Sequence, residues 1–148
     1  MQADIEDNLL RQIDPNQTYL WKWNASKGKS GGILSGVRVE VLDVASFKEE
    51  KYMLQLNLWD KERKIKWNFL NIYGSPHEAE FLSELASFCS GSQEPLLAGG
   101  DFNLIRFLSE KNKVTPLSRH SRTFNSIISC HDLIDLNMSG GKYTWSNN

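Results

Sequence analysis

Hydrophobic residues recur along this chain with two different periods. Apolar positions about four residues apart predict amphipathic helices, and alternation or short apolar runs predict strands. The helical period covers Asp4 to Ile13, Ser75 to about Ser90, and Arg119 to His131. The strand pattern covers residues 19–21, 32–34, 37–41, 52–58, 65–69, 95–98, 133–136 and 143–145. The pattern therefore predicts one mixed α/β (α+β) domain whose strands are mostly antiparallel.

The residues that flank the second predicted helix indicate its ends. Ser75 can cap the helix, Pro76 suits the first helical position, and Glu78 completes an S-x-x-E capping box. Gly91 follows where a left-handed residue commonly ends a helix. The predicted buried face of this helix consists of Phe81, Leu82, Leu85, Phe88 and Cys89, and that of the third helix includes Phe124, Ile127 and Ile128.

Composition narrows the class of protein. The chain has 148 residues, of which 40% are hydrophobic and 24% are charged, so it can bury a core and is neither disordered nor collagen-like. Lys and Arg total 17 against 18 for Asp and Glu, and the net charge of -1 provides no general attraction for nucleic acid. Any contact with DNA must therefore be local.

Three features of the sequence predict an intracellular location. Apolar stretches such as Leu96-Leu97-Ala98 are too short to span a bilayer, and the acidic start MQADIEDNLL does not resemble a secretory leader. Cys89 and Cys130 lack the spacing of a zinc site, which favours free, buried thiols in a reducing compartment. We expect no membrane partner and an intracellular location, nuclear or cytoplasmic.

The segment from Leu96 to Asn103 carries the most informative chemistry. An apolar strand leads into two glycines and then Asp101, Phe102 and Asn103. If extended geometry persists, Asp101 and Asn103 share one side of the chain and Phe102 is anchored in the core. A carboxylate that accepts a proton beside an amide that holds a phosphate oxygen suits hydrolysis. The alternative is that both residues simply stabilise a turn after the strand.

Longer segments resemble a known family. Gly99 to Asn103, after a Leu-Leu-Ala strand, resembles the GDFN motif of the endonuclease/exonuclease/phosphatase superfamily, and Asn71 to Pro76 resembles its Tyr-containing strand end. Three further segments are similar to endonuclease domains of plant LINE-type (non-LTR) retrotransposons, namely Ser30 to Leu34, Gly100 to Glu110, and Leu133 to Asn147. The resemblance covers nearly the whole chain in the expected order.

The resemblance implies a fold, an activity and partners. Members of the superfamily have a two-sheet β-sandwich flanked by helices in four layers, α/β/β/α, and hydrolyse phosphodiesters with a divalent metal. LINE-type members nick the target DNA that primes reverse transcription. The expected cofactor is therefore Mg²⁺ and the expected partner is DNA.

The same resemblance assigns roles to four residues, and a fifth, His77, is a candidate because of its position near Tyr73. Asp101 would orient or deprotonate the attacking water, and Asn103 would position the scissile phosphate. Tyr73 would place its hydroxyl on a phosphate oxygen, in one cleft with Asn103. Thr144 would contact the DNA backbone, and His77 would line the DNA groove near Tyr73. For His77, the alternative is a solvent-facing residue in the first turn of the second helix.

The chain also departs from the family pattern. The family's first strands, with an Asn and a metal-binding Glu, would precede Met1, and its Arg-Leu-Asp-Arg and Ser-Asp-His strands would follow Asn148. We therefore expect residues 1–148 to form a partial domain that binds Mg²⁺ weakly or not at all, with no metal ligand assigned. A partner or a longer parent polypeptide would supply the missing strands.

These departures leave more than one possible function and predict that the chain is marginally stable. The chain is either a nuclease domain that is inactive as it stands or a domesticated remnant that binds protein or nucleic acid, and a phosphatase of small phosphoesters fits less well. An incomplete sandwich would leave apolar residues without cover and would be marginally stable. The residues expected to include uncovered ones are Val39, Val41, Leu54, Leu56, Phe69 and Trp145.

Overall fold

The computed structural model of this protein describes residues 7–25, 32–111 and 116–136. Within these ranges the chain forms three α-helices, six strands and one short 3-10 helix, which confirms the predicted mixed α+β class. The elements in chain order are α1 Asp7–Ile13, β1 Tyr19–Asn24, β2 Ile33–Arg38, β3 Leu42–Glu49, β4 Met53–Asp60, β5 Ile65–Tyr73, α2 Ala79–Gly91, β6 Leu96–Asp101, the 3-10 helix Leu108–Glu110, and α3 Arg119–Cys130.

The strands form two sheets. β1 and β2 make an antiparallel pair, and the second sheet has the order β3-β4-β5-β6. β3, β4 and β5 are antiparallel neighbours because short turns join them, whereas β6 runs parallel to β5 after a connection that contains α2. The strands are therefore mostly antiparallel, as predicted.

A buried apolar cluster lies between the two sheets. Ile33 and Val37 of β2 meet alternate residues of β4, which put their side chains on one face. The β4 members are Leu54, Leu56 and Leu58, and the half-buried residues around them are Leu42, Val44, Trp67 and Phe69. Leu54 and Leu56 are thus covered, whereas Val39 and Val41 are exposed in the turn between β2 and β3.

The turn between β4 and β5 is organised by Asp60, which is largely buried. Its carboxylate accepts hydrogen bonds from the backbone amides of Glu62 at 3.0 Å and Arg63 at 2.7 Å, and it pairs with the Arg63 guanidinium at 3.0 Å. These bonds, the Arg63 amide first, favour the charged form and lower the pKa of Asp60 below its ordinary value of 3.8. Asp60 thus stabilises the turn of the hairpin that β4 and β5 form.

This lowered pKa makes the stability of the protein depend on pH. Asp60 binds a proton less readily in the folded chain, so its contribution is complete above 3.8 and is lost as the pH falls through the lowered value. We expect Asp60→Asn to melt below the wild type at pH 7, with the difference vanishing in strong acid. Thermal melts at several pH values test this, with Glu49→Gln on an exposed β3 carboxylate as the control. A difference that persists in acid would assign the effect to packing.

The chain divides into two compact units. Of the described residues, 7–74 and 92–101 form the first, which contains all six strands, and 75–91 and 102–136 form the second. In the second unit α2 packs against α3. The predicted apolar faces are confirmed for both helices, with Phe81, Leu82, Leu85, Phe124, Ile127 and Ile128 buried. Phe88 and Cys89 are half-buried.

The predicted start of α2 is wrong, whereas its end lies within one residue of the predicted Ser90. The helix begins at Ala79 rather than Pro76, because the Gly74 amide still bonds to the Asp101 carbonyl and the chain then bends at Pro76 and His77. Gly91 is the last helical residue and has no positive φ. The α3 boundary is nearly as predicted, since the Ser118 hydroxyl accepts the Ser121 amide and caps the helix.

Several other strand predictions are wrong. β3 was not predicted, and the predicted strand at residues 37–41 is split between the end of β2 and a turn. Leu133 to Leu136 has no regular structure, and Ile134 is 85% exposed. The predicted strand at residues 143–145 lies outside the described residues.

The predictions for α1 and the cysteines are partly wrong. α1 begins at Asp7 in the described residues, and Leu9 and Ile13 of its predicted apolar stripe are exposed. Both cysteines are free, but Cys89 is half-buried and Cys130 is exposed. In the described ranges no helix is long and apolar enough to cross a membrane.

Candidate functional site

Tyr73 and Asp101 lie side by side at the carboxyl ends of two parallel strands. They are register partners at the ends of β5 and β6, and the next amide, that of Gly74, donates to the Asp101 carbonyl at 2.7 Å. Register partners on neighbouring strands share one face of a sheet, so the two side chains emerge together. Both are exposed, Tyr73 by 36%. A hydroxyl donor and a carboxylate thus share this edge of the sheet.

Gly100 brings Asp101 to this position. Its φ of +128° is disfavoured for residues with a side chain, and a Cβ there would lie 2.1 Å from the Ile72 carbonyl oxygen. At Gly99, by contrast, a Cβ would make an ordinary contact of 3.8 Å with Cε2 of Phe69. Only the second glycine of the pair is therefore required by the close approach of β6 to β5.

Asn103 does not continue the strand. β6 ends at Asp101, and Asn103 has a φ of +52°, a left-handed conformation that Asn tolerates better than most residues. Extended geometry therefore does not persist through Asn103, so the condition under which Asp101 and Asn103 would share one side of the chain is not met. Phe102 is half-buried, and its ring centroid lies 5.3 Å from that of Phe124, which anchors this residue as predicted.

The loop that follows Asn103 is fastened by polar contacts within the second unit. The Glu110 carboxylate accepts the amides of Arg106 at 3.1 Å and Phe107 at 3.0 Å. The Arg106 guanidinium donates to Asn125 Oδ1 at 3.0 Å, and Asn125 Nδ2 donates to the Arg106 carbonyl at 2.8 Å. Arg106 also pairs with Asp135. These contacts tie the loop to α3 and were not foreseen from the sequence.

The five predicted site residues fall into different parts of the chain. Tyr73 and Asp101 belong to the first unit, and Asn103 and His77 belong to the second. His77 is exposed in the bend before α2 rather than in the first turn of that helix. Thr144 lies outside the described residues. The cleft shared by Tyr73 and Asn103 stays a prediction.

Asn71 is a site-adjacent residue that sequence reasoning missed. It lies two residues before Tyr73 on the same face of β5, and its amide donates to the Leu34 carbonyl at 3.0 Å and to Ser35 Oγ at 2.9 Å. These bonds join β5 to β2 beside the Tyr73 end of the strand. The available signal was a polar side chain in the otherwise aromatic alternation of Trp67, Phe69 and Tyr73.

The residues at this edge of the sheet can be compared with the ligands that a Mg²⁺ ion requires. Among the residues that the structure describes, no group of three or more His, Cys, Asp or Glu side chains could hold a metal ion. Mg²⁺ requires near-octahedral coordination and is commonly bound through one or two carboxylates and a substrate phosphate. Asp101 with Tyr73 therefore does not fit Mg²⁺ by itself, and the pair offers one carboxylate acceptor and one hydroxyl.

Comparisons with protein-family models and with curated proteins gave no match to this sequence.

Proposed function

We propose that this chain is a domain of the endonuclease/exonuclease/phosphatase type, of the kind found in non-LTR retrotransposons, and that its Tyr73–Asp101 edge acts on phosphodiesters of DNA. The observation that carries the proposal is the register pairing of these two residues at the exposed carboxyl ends of β5 and β6. The sequence resemblance and the presence of two sheets that share a buried cluster support it. A complete α/β/β/α sandwich is part of the same proposal.

The proposed chemistry follows from the groups at the edge. A phosphodiester presents only acceptor oxygens, so the Tyr73 hydroxyl would donate a hydrogen bond to it. Asp101 would accept a proton from the attacking water or orient that water. The described residues do not fit Mg²⁺, and we expect little or no nicking by this chain alone.

The affinity for DNA tests this proposal, because the proposal predicts the direction in which a substitution changes it. We expect Asp101→Asn to bind a short DNA duplex about fivefold more tightly in the absence of metal. The change removes a carboxylate that repels a phosphate. Two like unit charges ~4 Å apart in water repel each other by about 1 kcal/mol, which corresponds to about a fivefold change in affinity. Fluorescence anisotropy with labelled duplex measures the affinity. Glu62→Gln is the matched control, because it removes the same charge in the exposed turn at the opposite end of β5.

The outcomes of the binding test separate the proposals. Equal affinities of wild type and Asp101→Asn, with Tyr73→Phe also unchanged, would remove this edge as a DNA site. Tighter binding by Glu62→Gln to the same extent would indicate general electrostatics rather than a local site. Tighter binding by Asp101→Asn alone supports the phosphodiester assignment.

Nicking of supercoiled plasmid in the presence of Mg²⁺ tests catalysis separately. Any nicking by the wild type should be abolished in Asp101→Ala, and equal, magnesium-dependent nicking by both proteins would remove Asp101 from the mechanism.

The absence of an acidic cluster among the described residues favours a second candidate, a non-enzymatic binding module. That candidate predicts DNA or protein binding with no nicking at any protein concentration.

A further inference from the structure

The hairpin turn between β3 and β4 lies at the edge of the sheet that carries the proposed site. The Glu50 amide donates to the Met53 carbonyl at 2.9 Å, which leaves Lys51 and Tyr52 as the two residues of the turn. The Tyr73 amide donates to the Tyr52 carbonyl at 2.9 Å, so the pairing of β4 with β5 continues into this turn. The turn and both ends of the Tyr73 pairing belong to the first unit.

Tyr52 joins Tyr73 and Asp101 in one row across three neighbouring strands. Tyr73 is paired with Tyr52 on one side and with Asp101 on the other, and register partners share one face of a sheet. Tyr52 is 6% exposed, so its ring is a fixed part of the packed structure. Neighbouring strands lie about 4.8 Å apart, which puts the backbone of Tyr52 roughly 10 Å from that of Asp101.

Lys51 brings a positive charge to this row. It is exposed, and its Nζ lies over the Tyr52 ring, 4.8 Å from the ring centroid. A cation over the face of an aromatic ring is attracted by the negative charge of that face. Because the ring itself is buried, this contact holds the ammonium group beside the row. The adjacent Glu50 pairs with Lys48, so its carboxylate is already balanced.

A local cation is what the proposed function requires of this chain. The net charge of -1 provides no general attraction for DNA, and the Asp101 carboxylate repels phosphates. A DNA strand carries one phosphate about every 3.4 Å along the helix axis. A cation several ångströms from Asp101 along the row would therefore meet a different phosphate from the one at Asp101, and its attraction offsets the repulsion there.

We propose that Lys51 is a phosphate-binding residue of this edge, and that its ammonium group binds a backbone phosphate near the one at which Tyr73 and Asp101 act. The inference rests on the proposed function and names the residue by which a chain without net positive charge holds DNA. The contact with the Tyr52 ring restrains the lysine before DNA arrives, so binding costs less side-chain entropy than it would for a mobile lysine.

Fluorescence anisotropy with labelled duplex at several salt concentrations tests this role. We expect Lys51→Gln to weaken DNA binding about fivefold at low salt, the factor for one pair of unit charges in water. The slope of the logarithm of affinity against that of salt concentration should fall by about 0.9, because one counterion fewer is released. Lys51→Arg keeps the charge and should keep both values. Lys66→Gln is the matched control, since it removes the same charge from an exposed residue near the opposite end of β5.

The possible results distinguish this inference from the function on which it rests. If Asp101→Asn binds DNA more tightly but Lys51→Gln binds like the wild type, Lys51 has no part in binding and the proposed function stands. If Lys66→Gln weakens binding as much as Lys51→Gln, the effect is general electrostatics and the inference is overturned. If the wild type does not bind DNA, both fail. A loss confined to Lys51→Gln, at an unchanged melting temperature, supports the inference.

Discussion

Replacing Gly100 with alanine should destabilise the protein by roughly 3 kcal/mol or more, an exceptional effect for the addition of one methyl group. The new Cβ would meet the Ile72 carbonyl oxygen at 2.1 Å and the Ile72 nitrogen at 2.8 Å, and the φ of +128° would be strained. Backbone atoms cannot rotate away as a side chain can, so β6 must separate from β5 near Asp101. We expect the variant to lose both stability and the alignment of Asp101 with Tyr73.

Gly99→Ala is the matched control for this prediction. It adds the same atom one residue earlier in the same strand, where the nearest contact is an ordinary 3.8 Å to Phe69. Its effect should lie within about 1 kcal/mol, because the reduced freedom of the unfolded chain offsets small packing changes. Urea denaturation of both variants measures the difference. Equal stabilities would mean that β6 does not approach β5 as closely as described.

Leu56→Ala should cost about 3 kcal/mol in the free energy of unfolding. Leu56 is 1% exposed and belongs to the cluster between the two sheets, so the shorter side chain leaves a cavity as well as losing apolar burial. For a chain of this size such a loss lowers the melting temperature by about 10 °C. Differential scanning calorimetry provides the measurement.

Val39→Ala serves as the control for the core variant. Val39 is 44% exposed in the turn after β2, and its truncation should change stability by less than about 0.5 kcal/mol. If Leu56→Ala has an equally small effect, the two sheets do not share a packed core. If the wild type shows no cooperative transition, the expectation of marginal stability from the sequence holds and the comparison requires a stabilising salt.

The sequence was most informative where one face of an element is buried. Alternation predicted that Leu54, Leu56 and Leu58 share a face, and the four-residue period predicted α3 almost to its ends. In both cases the side-chain pattern follows directly from the geometry of the backbone and one apolar surface.

The sequence was least informative at edges and irregular segments. β3 has Leu42 and Val44 against the core, but its bulge then breaks the alternation, so no sustained period marks it as a strand. Leu133 to Leu136 has the opposite property, because it is a mostly apolar segment in which Ile134 and Leu136 are exposed. Pattern alone cannot distinguish an apolar segment that has found a partner surface from one that has not.

Part of the candidate site could be inferred and part could not. Tyr73 and Asp101 each follow an apolar strand, which places both at strand ends once the strands are recognised. The bonds from Asn71 to β2, and from Arg106 to α3, join residues far apart in sequence and leave no periodic signal. The left-handed turn at Asn103 was also missed, because a motif gives residue types and not backbone angles.

The parallel pairing of β5 with β6 has a consequence for the order of folding. Only Lys61 to Lys64 separate β4 from β5, whereas residues 74–95 separate β5 from β6. Closing the longer loop costs more entropy before any contact compensates for it, so the β3-β4-β5 meander should form early and β6 should dock late. Until then the open flank of β5 is accessible to chaperones and proteases, and Asp101 reaches Tyr73 only in the last step.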